Sequence, residues 1–337
     1  MNASRTACSL PTSRLIDKHG RSVTYLRLSI TDRCNLRCRY CMPEKGVKVL
    51  GHGEILSYEE LERLGRLFTG LGVRKIRITG GEPFVRKGCL EFMERLKTNN
   101  PGLDLRLTTN GVAVMPHLAG LKRLGIDGIN LSLDTMDPDR FLDVTRRDRL
   151  ETVLLVFHEA LRMDIPLKVN SVVQVETGDE DIVQLAQLAR DNSVALRFIE
   201  LMPFSGKARS DLCRGESLAE RLERLFPGMV EISSNDIETA RKFSVPGFKG
   251  TLGIIEGESR RFCASCNKVR ITPAGLLKNC LYDRGVLDLR ELMRSGAEDQ
   301  EIEARIIDSV RAKLVDGHKV AEQQERLCED SMATIGG

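Results

Sequence analysis

Between Tyr25 and Glu200 short runs of strand-type alternation recur at an even rhythm, each separated from the next by a helical pattern. The runs are Tyr25 to Ile30, Lys75 to Thr79, Asp104 to Thr108, Gly128 to Leu133, Pro166 to Val173 and Ala195 to Ile199. Ser57 with Glu60 makes a capping box ahead of Leu61, Leu64 and Leu67, which share one helical face. Leu150 to Met163 and Asp179 to Arg190 carry similar apolar spacing. Strand, helix, strand at this rhythm implies parallel pairing with helices packed outside. Six such units predict an α/β fold, a partial (β/α)6 TIM-like barrel; an open doubly wound sheet is the alternative.

The strands alternate where buried parallel strands usually run continuously apolar. Leu26, Leu28 and Ile30 oppose Arg27 and Ser29; Ile76 and Ile78 oppose Arg77 and Thr79; Leu105 and Leu107 oppose Arg106 and Thr108. Ile129, Leu131 and Leu133 oppose Asn130, Ser132 and Asp134, and Leu167 and Val169 oppose Lys168 and Asn170. With period two, one set faces the helices and the other the barrel interior. Cations in a closed interior require an anion or a water-filled cavity. An antiparallel sheet with one wet face would also alternate, but the intervening helices argue against it. Arg106 and the Arg146-Arg147 pair read as solvated surface ion pairs.

After Pro203 the rhythm is lost. A helical stretch from Glu216 to Leu225, a Gly/Pro-rich segment from Val245 to Gly257 and charged helical sequence from Leu289 to about Lys313 make up a second region. Met1 to Ile16 carries Arg5 and Arg14 without an acid; it reads as a frayed polar tail rather than a transit peptide. The net charge of +3 over 337 residues gives no overall pull toward nucleic acid or a membrane surface, so basic sites must be local. No apolar run approaches the length of a spanning helix.

Of ten cysteines, Cys34, Cys38 and Cys41 form one group and Cys263, Cys266 and Cys280 another, while Cys8, Cys89, Cys213 and Cys328 stand apart. Without a secretory segment the chain is expected in a reducing compartment, where grouped thiols point to metal rather than disulfides. The first group begins in the loop after the first strand, where barrels place their chemistry. Three thiolates can hold a 4Fe–4S cube with one iron left open, since such a cluster takes four ligands. Zinc competes: a structural zinc site is closed and four-coordinate, so it needs a distant fourth ligand at the first group and could recruit Cys328 at the second.

Cys34-x-x-x-Cys38-x-Tyr40-Cys41 resembles the signature of radical S-adenosylmethionine enzymes. Gly80-Gly81-Glu82-Pro83 after the second strand is similar to that family's next element; taken alone its glycines read as a turn needing positive φ. Phe262-Cys263 through Asn267-Lys268-Val269-Arg270, with Cys280 and the ending Ile335-Gly336-Gly337, resembles the GTP 3′,8-cyclases of molybdenum cofactor biosynthesis. So do Leu26-Arg27-Leu28-Ser29, Lys75-Ile76-Arg77-Ile78-Thr79, Thr108-Thr109-Asn110-Gly111 and Arg197-Phe198-Ile199-Glu200, so that the likeness runs from about Tyr25 to the end.

That resemblance implies a radical S-adenosylmethionine partial barrel over 21–204, preceded by a tail over 1–20. A C-terminal iron–sulfur segment over 205–337 would close the barrel, bind GTP and send its double-glycine tail into the active site. It implies two 4Fe–4S clusters, on Cys34, Cys38 and Cys41 and on Cys263, Cys266 and Cys280. S-adenosylmethionine would lie against Tyr40, Gly81, Ser132 and Met202. GTP would lie against Arg27, Arg77, Thr108, Lys168, Lys268, Val269 and Arg270, with no catalytic side chains beyond the clusters. Lys268 stands where relatives usually carry arginine, and Asp330 where a basic residue is usual. The implied reaction removes hydrogen from C3′ of the ribose and joins that carbon to C8 of guanine. The implied partners are a ferredoxin- or flavodoxin-type reductant or a chemical electron donor, and the cyclic pyranopterin monophosphate synthase of the next step. Nucleic acid and membrane are not expected; a homodimer is left open. The compartment expected is the cytoplasm, or the mitochondrial matrix in a eukaryote. A radical enzyme acting on a peptide, an electron carrier and a zinc-stabilised binding protein are the rivals.

Overall fold

The computed structural model describes residues 14–202, 216–233, 239–257, 263–323 and 331–336. Cys8, Cys213, Cys328, Phe262, Asp330 and Gly337 lie outside the described residues. Six strands form where the alternation placed them: β1 (Tyr25–Ser29), β2 (Lys75–Thr79), β3 (Asp104–Thr109), β4 (Gly128–Ser132), β5 (Leu167–Val173) and β6 (Ala195–Glu200). The capping box at Ser57 and Glu60 starts the helix Tyr58–Gly70, with both reciprocal hydrogen bonds present. Leu150–Arg162 and Asp179–Asp191 are helices as the periodicity requires.

The second region adds β7 (Val230–Glu231), β8 (Arg241–Ser244), β9 (Thr251–Ile255), β10 (Lys268–Ile271), β11 (Leu276–Lys278) and β12 (Leu287–Asp288). All twelve join one sheet in the order β12-β11-β10-β1-β2-β3-β4-β5-β6-β9-β8-β7. From β10 through β9 every neighbour pair is parallel. From β1 through β6 the strands follow one another in chain order without reversal, whereas a doubly wound sheet must reverse at its switch point. The six repeating units are thus extended by one parallel strand on each side, and antiparallel strands finish both edges.

Leu26, Leu28, Ile76, Ile78, Leu105 and Leu107 are fully buried beneath the helices, which use Leu61, Leu64, Phe68, Phe92 and Leu96 to cover them. The opposite face carries the polar set in register. Arg270, Arg27, Arg77 and Arg106 are neighbours across β10, β1, β2 and β3, and Thr108, Asn130 and Lys168 across β3, β4 and β5.

Two expectations change. Leu15, expected in a frayed tail, is fully buried; Arg14 N–H donates to the Leu71 carbonyl, and Ile16 bridges Ser22. The charged stretch from Leu289 divides into the helices Leu289–Arg294 and Asp299–Arg311. Gly296, at φ +90°, takes the left-handed turn between them.

Candidate active site

The polar face encloses a cavity of about 1020 Å³ that all six grouped cysteines line. At one end the loop Cys34–Cys41 leaves β1 and is tied to the helix Pro138–Thr145: Arg37 and Arg39 donate backbone N–H groups to the carbonyls of Thr145 and Val144. Arg146 donates to the carbonyls of Arg37 (2.8 Å) and Met42, so it braces this loop instead of forming a solvated ion pair. Arg147 donates to the Arg146 carbonyl. Arg106 does pair with Asp104, at 2.6 Å, but also lines the cavity.

Gly80 and Gly81 do not have positive φ. Close approach explains them: a Cβ on Gly81 would stand 2.4 Å from the Arg33 carbonyl oxygen, and one on Gly80 2.7 Å from that of Thr31. Glu82, fully buried behind them, accepts from Thr109 Oγ1 (2.9 Å) and from the backbone of Asn110 (2.7 Å). Burial pushes its carboxyl up to about 7, although these donors oppose the shift. Asn110 Nδ2 and the Leu36 N–H approach Cys34 Sγ at 3.6 and 3.4 Å. Burial raises the Cys34, Cys38 and Cys41 thiols, Cys41 to about 12; repulsion from Glu82 adds to it at Cys34, from Asp134 and the other two thiols at Cys38, and from Cys34 at Cys41. Three thiolates together therefore require a bound cation, which inverts this preference.

At the other end Cys266 N–H donates to the Cys263 carbonyl, and Cys280 N–H to Asp283 Oδ2 at 2.7 Å. Burial raises the Cys280 thiol to about 11. Burial would raise Cys266 as well, but Lys313 and Lys268 outweigh it and hold that thiol below its ordinary value. Arg21, paired with buried Asp17 at 2.6 Å, donates to the carbonyls of Cys263 (2.8 Å) and Leu314 (2.6 Å).

Between the two ends lies a belt of cations. Arg77 is 5% exposed; it donates to the Leu107 carbonyl (2.8 Å) and, through Nε, to the Tyr25 hydroxyl (2.6 Å). Lys75 and Lys268 each sit 5.6 Å from the Tyr25 ring centroid. Burial pushes Arg27 down to about 9, and repulsion from Arg270 adds to the fall. An anion among these groups opposes both effects.

Of the residues expected to hold cofactor, Tyr40, Gly81, Ser132 and Met202 all line the cavity, as do Arg27, Arg77, Thr108, Lys168, Lys268 and Arg270. Val269 does not: its side chain is fully buried in the apolar core on the far face of β10. Tyr40 donates its hydroxyl to Asp134 Oδ2 at 2.8 Å, and burial brings Asp134 up to about 6. The C-terminal turn Met332–Ile335 reaches the strands: Arg270 donates to the Gly336 carbonyl at 3.2 Å, and a Cβ on Gly336 would lie 2.5 Å from that of Ser29. Sequence reasoning gave no site role to Tyr25, Arg197 and Lys313, which also line the cavity. Strand alternation could have found Arg197, two positions from Ala195 on the polar face; nothing local marks Lys313.

Among the described residues no three His, Cys, Asp or Glu are gathered as a site for a single metal ion. None of the six grouped cysteines is in a disulfide, and all six face one cavity. Sulfur-only donors in threes, with N–H groups already directed at Cys34, fit an iron–sulfur cluster at each end.

The Radical SAM superfamily model matches residues 28–189, and the Molybdenum Cofactor Synthesis C model residues 194–319. The chain is 38% identical over 329 residues to a GTP 3′,8-cyclase of Desulforamulus reducens, covering 96% of this chain and 100% of that one. It is 38% identical over 326 residues to a mitochondrial GTP 3′,8-cyclase of Arabidopsis thaliana, covering 96% and 83%. Streptococcus suis SuiB, solved bound to S-adenosylmethionine, shares the fold with a TM-score of 0.60 at 14% identity, over 87% of this chain and 68% of that one.

Proposed function

Because the chain belongs to the radical SAM superfamily and, within it, to the GTP 3′,8-cyclase family, we propose that it converts GTP to (8S)-3′,8-cyclo-7,8-dihydroguanosine 5′-triphosphate in molybdenum cofactor biosynthesis. The observation that carries this reading is a single cavity with a cysteine triad at each end and a cationic belt between them. We assign Cys34, Cys38 and Cys41 to one 4Fe–4S cluster and Cys263, Cys266 and Cys280 to a second. When bound, the first cluster with S-adenosylmethionine supplies a 5′-deoxyadenosyl radical for removal of the ribose C3′ hydrogen.

The protein's own part is placement. Arg27, Arg77, Lys168, Lys268 and Arg270 hold the triphosphate, their forks and ammonium groups matching phosphate oxygens, with Thr108 beside them. Tyr40, fixed by Asp134, together with Gly81, Ser132 and Met202, shapes the S-adenosylmethionine end. The tail turn Met332–Ile335 narrows access for water near Cys41 and Arg270. We read 21–204 as the barrel and 205–337 as the segment that completes the GTP site. The electron comes from a ferredoxin- or flavodoxin-type protein, and the product passes to cyclic pyranopterin monophosphate synthase.

Anaerobically reconstituted protein given GTP, S-adenosylmethionine and dithionite is expected to form 5′-deoxyadenosine and the cyclised nucleotide together. Formation of 5′-deoxyadenosine without a cyclised nucleotide rejects the substrate; formation of neither rejects the class.

A further inference from the structure

Lys313 follows the helix Asp299–Arg311 and is only 4% exposed, far from the belt that suits a triphosphate in sequence and outside every motif. Its ammonium donates to the carbonyl of Lys268 at 2.6 Å and to that of Asn279 at 2.6 Å, and approaches Cys266 Sγ at 3.6 Å. Lys268 lies two residues after Cys266, and Asn279 immediately precedes Cys280. One buried cation therefore joins both limbs of the second cysteine loop and presents its remaining proton to a sulfur. Asn279 is fixed independently, through Nδ2 to the Ser309 carbonyl at 2.6 Å, so Lys313 is not needed merely to hold that residue.

We propose that Lys313 is a positioning residue of the second cluster that raises its reduction potential through an N–H···S contact to Cys266. The proposal rests on the assignment of a second 4Fe–4S cluster under the proposed function. A neutral amide could serve the two carbonyls; a buried positive charge beside sulfur does something a neutral group cannot. It favours the cluster state that holds one more electron, and low local polarity lengthens its reach. Arg21, on the Cys263 side, contacts carbonyls and not sulfur, so it secures geometry without the same direct effect.

The test is an EPR-monitored redox titration of the anaerobically reconstituted full chain, with GTP addition marking the second cluster's signal. Lys313→Gln is expected to keep both iron sets and leave the first cluster's potential unchanged. The second cluster should become at least tenfold harder to reduce, which is 59 mV for a one-electron couple. No shift, or the same shift at both clusters, overturns the proposal. Should Lys313→Gln shed the second iron set, Lys268→Arg protein labelled with ζ-15N lysine decides, since the Lys268 N–H also faces Cys266: a 15N coupling to the reduced second cluster supports the Lys313 contact, and its absence overturns it. Iron and sulfide for one cluster only in the unaltered protein rejects the two-cluster assignment itself, a result distinct from an unchanged potential.

Discussion

The Ser331 hydroxyl donates to the Cys41 carbonyl at 2.7 Å, joining the C-terminal turn to the first cysteine loop across 290 positions of chain. The Met332 N–H reaches the same carbonyl at 3.3 Å, and Arg270 holds the far end of the turn at Gly336. The turn is thus pinned to the first cysteine loop and to the cationic belt. Ser331→Ala removes the shorter of the two pins at Cys41, and also the cap of the turn, at a cost of about 1 kcal/mol, roughly fivefold in seating. The variant should bind both iron sets and form 5′-deoxyadenosine, but yield several-fold less cyclised nucleotide per deoxyadenosine. An unchanged ratio removes any role for this contact in coupling.

Gly81→Ala places a methyl group 2.4 Å from the Arg33 carbonyl oxygen, with Arg33 C and Asp32 O also within 3.0 Å. These are backbone atoms, so the loop carrying Cys34 must move as a whole. The expected outcome is loss of the first cluster's iron while the second cluster's iron and its response to GTP remain. Full iron content after anaerobic reconstitution shows that the loop can yield.

Tyr25 makes the cationic belt sensitive to pH. Burial alone would raise its phenol, but Arg77 and Arg27 outweigh it and bring it down to about 7. Below that pH the phenol is neutral and the belt keeps its full charge; above it a phenolate offsets part of that charge. Triphosphate binding favours the neutral phenol, so GTP affinity should fall as pH rises through about 7, toward tenfold per unit. Tyr25→Phe should flatten the profile by up to one proton, measured by calorimetry from pH 6 to 9. Superimposable profiles would place the phenol outside the ligand's reach.

Period-two alternation made the sheet legible because each strand divides two environments, helices on one side and cations on the other. Lys75–Thr79 begins and ends where that pattern does. β9 and β10 escaped it for a physical reason: neither follows a helix in the earlier rhythm, and Lys268–Ile271 is four residues long. The cysteine groups were legible from spacing, and the arginines from sharing a face. Tyr25 was not, since an aromatic opening a strand reads as apolar core. Arg146 misled because its partners are carbonyls, which a sequence offers at every position, and not a carboxylate.

Lys268 presents a point charge in a belt otherwise rich in guanidinium groups, with its ammonium over the Tyr25 ring and its carbonyl held by Lys313. Because the carbonyl fixes the backbone, an arginine here would start from the same place. It could meet phosphate oxygens with two donors instead of one, for about 1 kcal/mol more binding. Lys268→Arg is therefore expected to lower KM for GTP roughly fivefold and leave kcat within about twofold, since the triphosphate is bound equally in ground and transition states. A raised KM would mean that this position is fitted to lysine, and a changed kcat at constant KM would move its role from the triphosphate to the reacting ring.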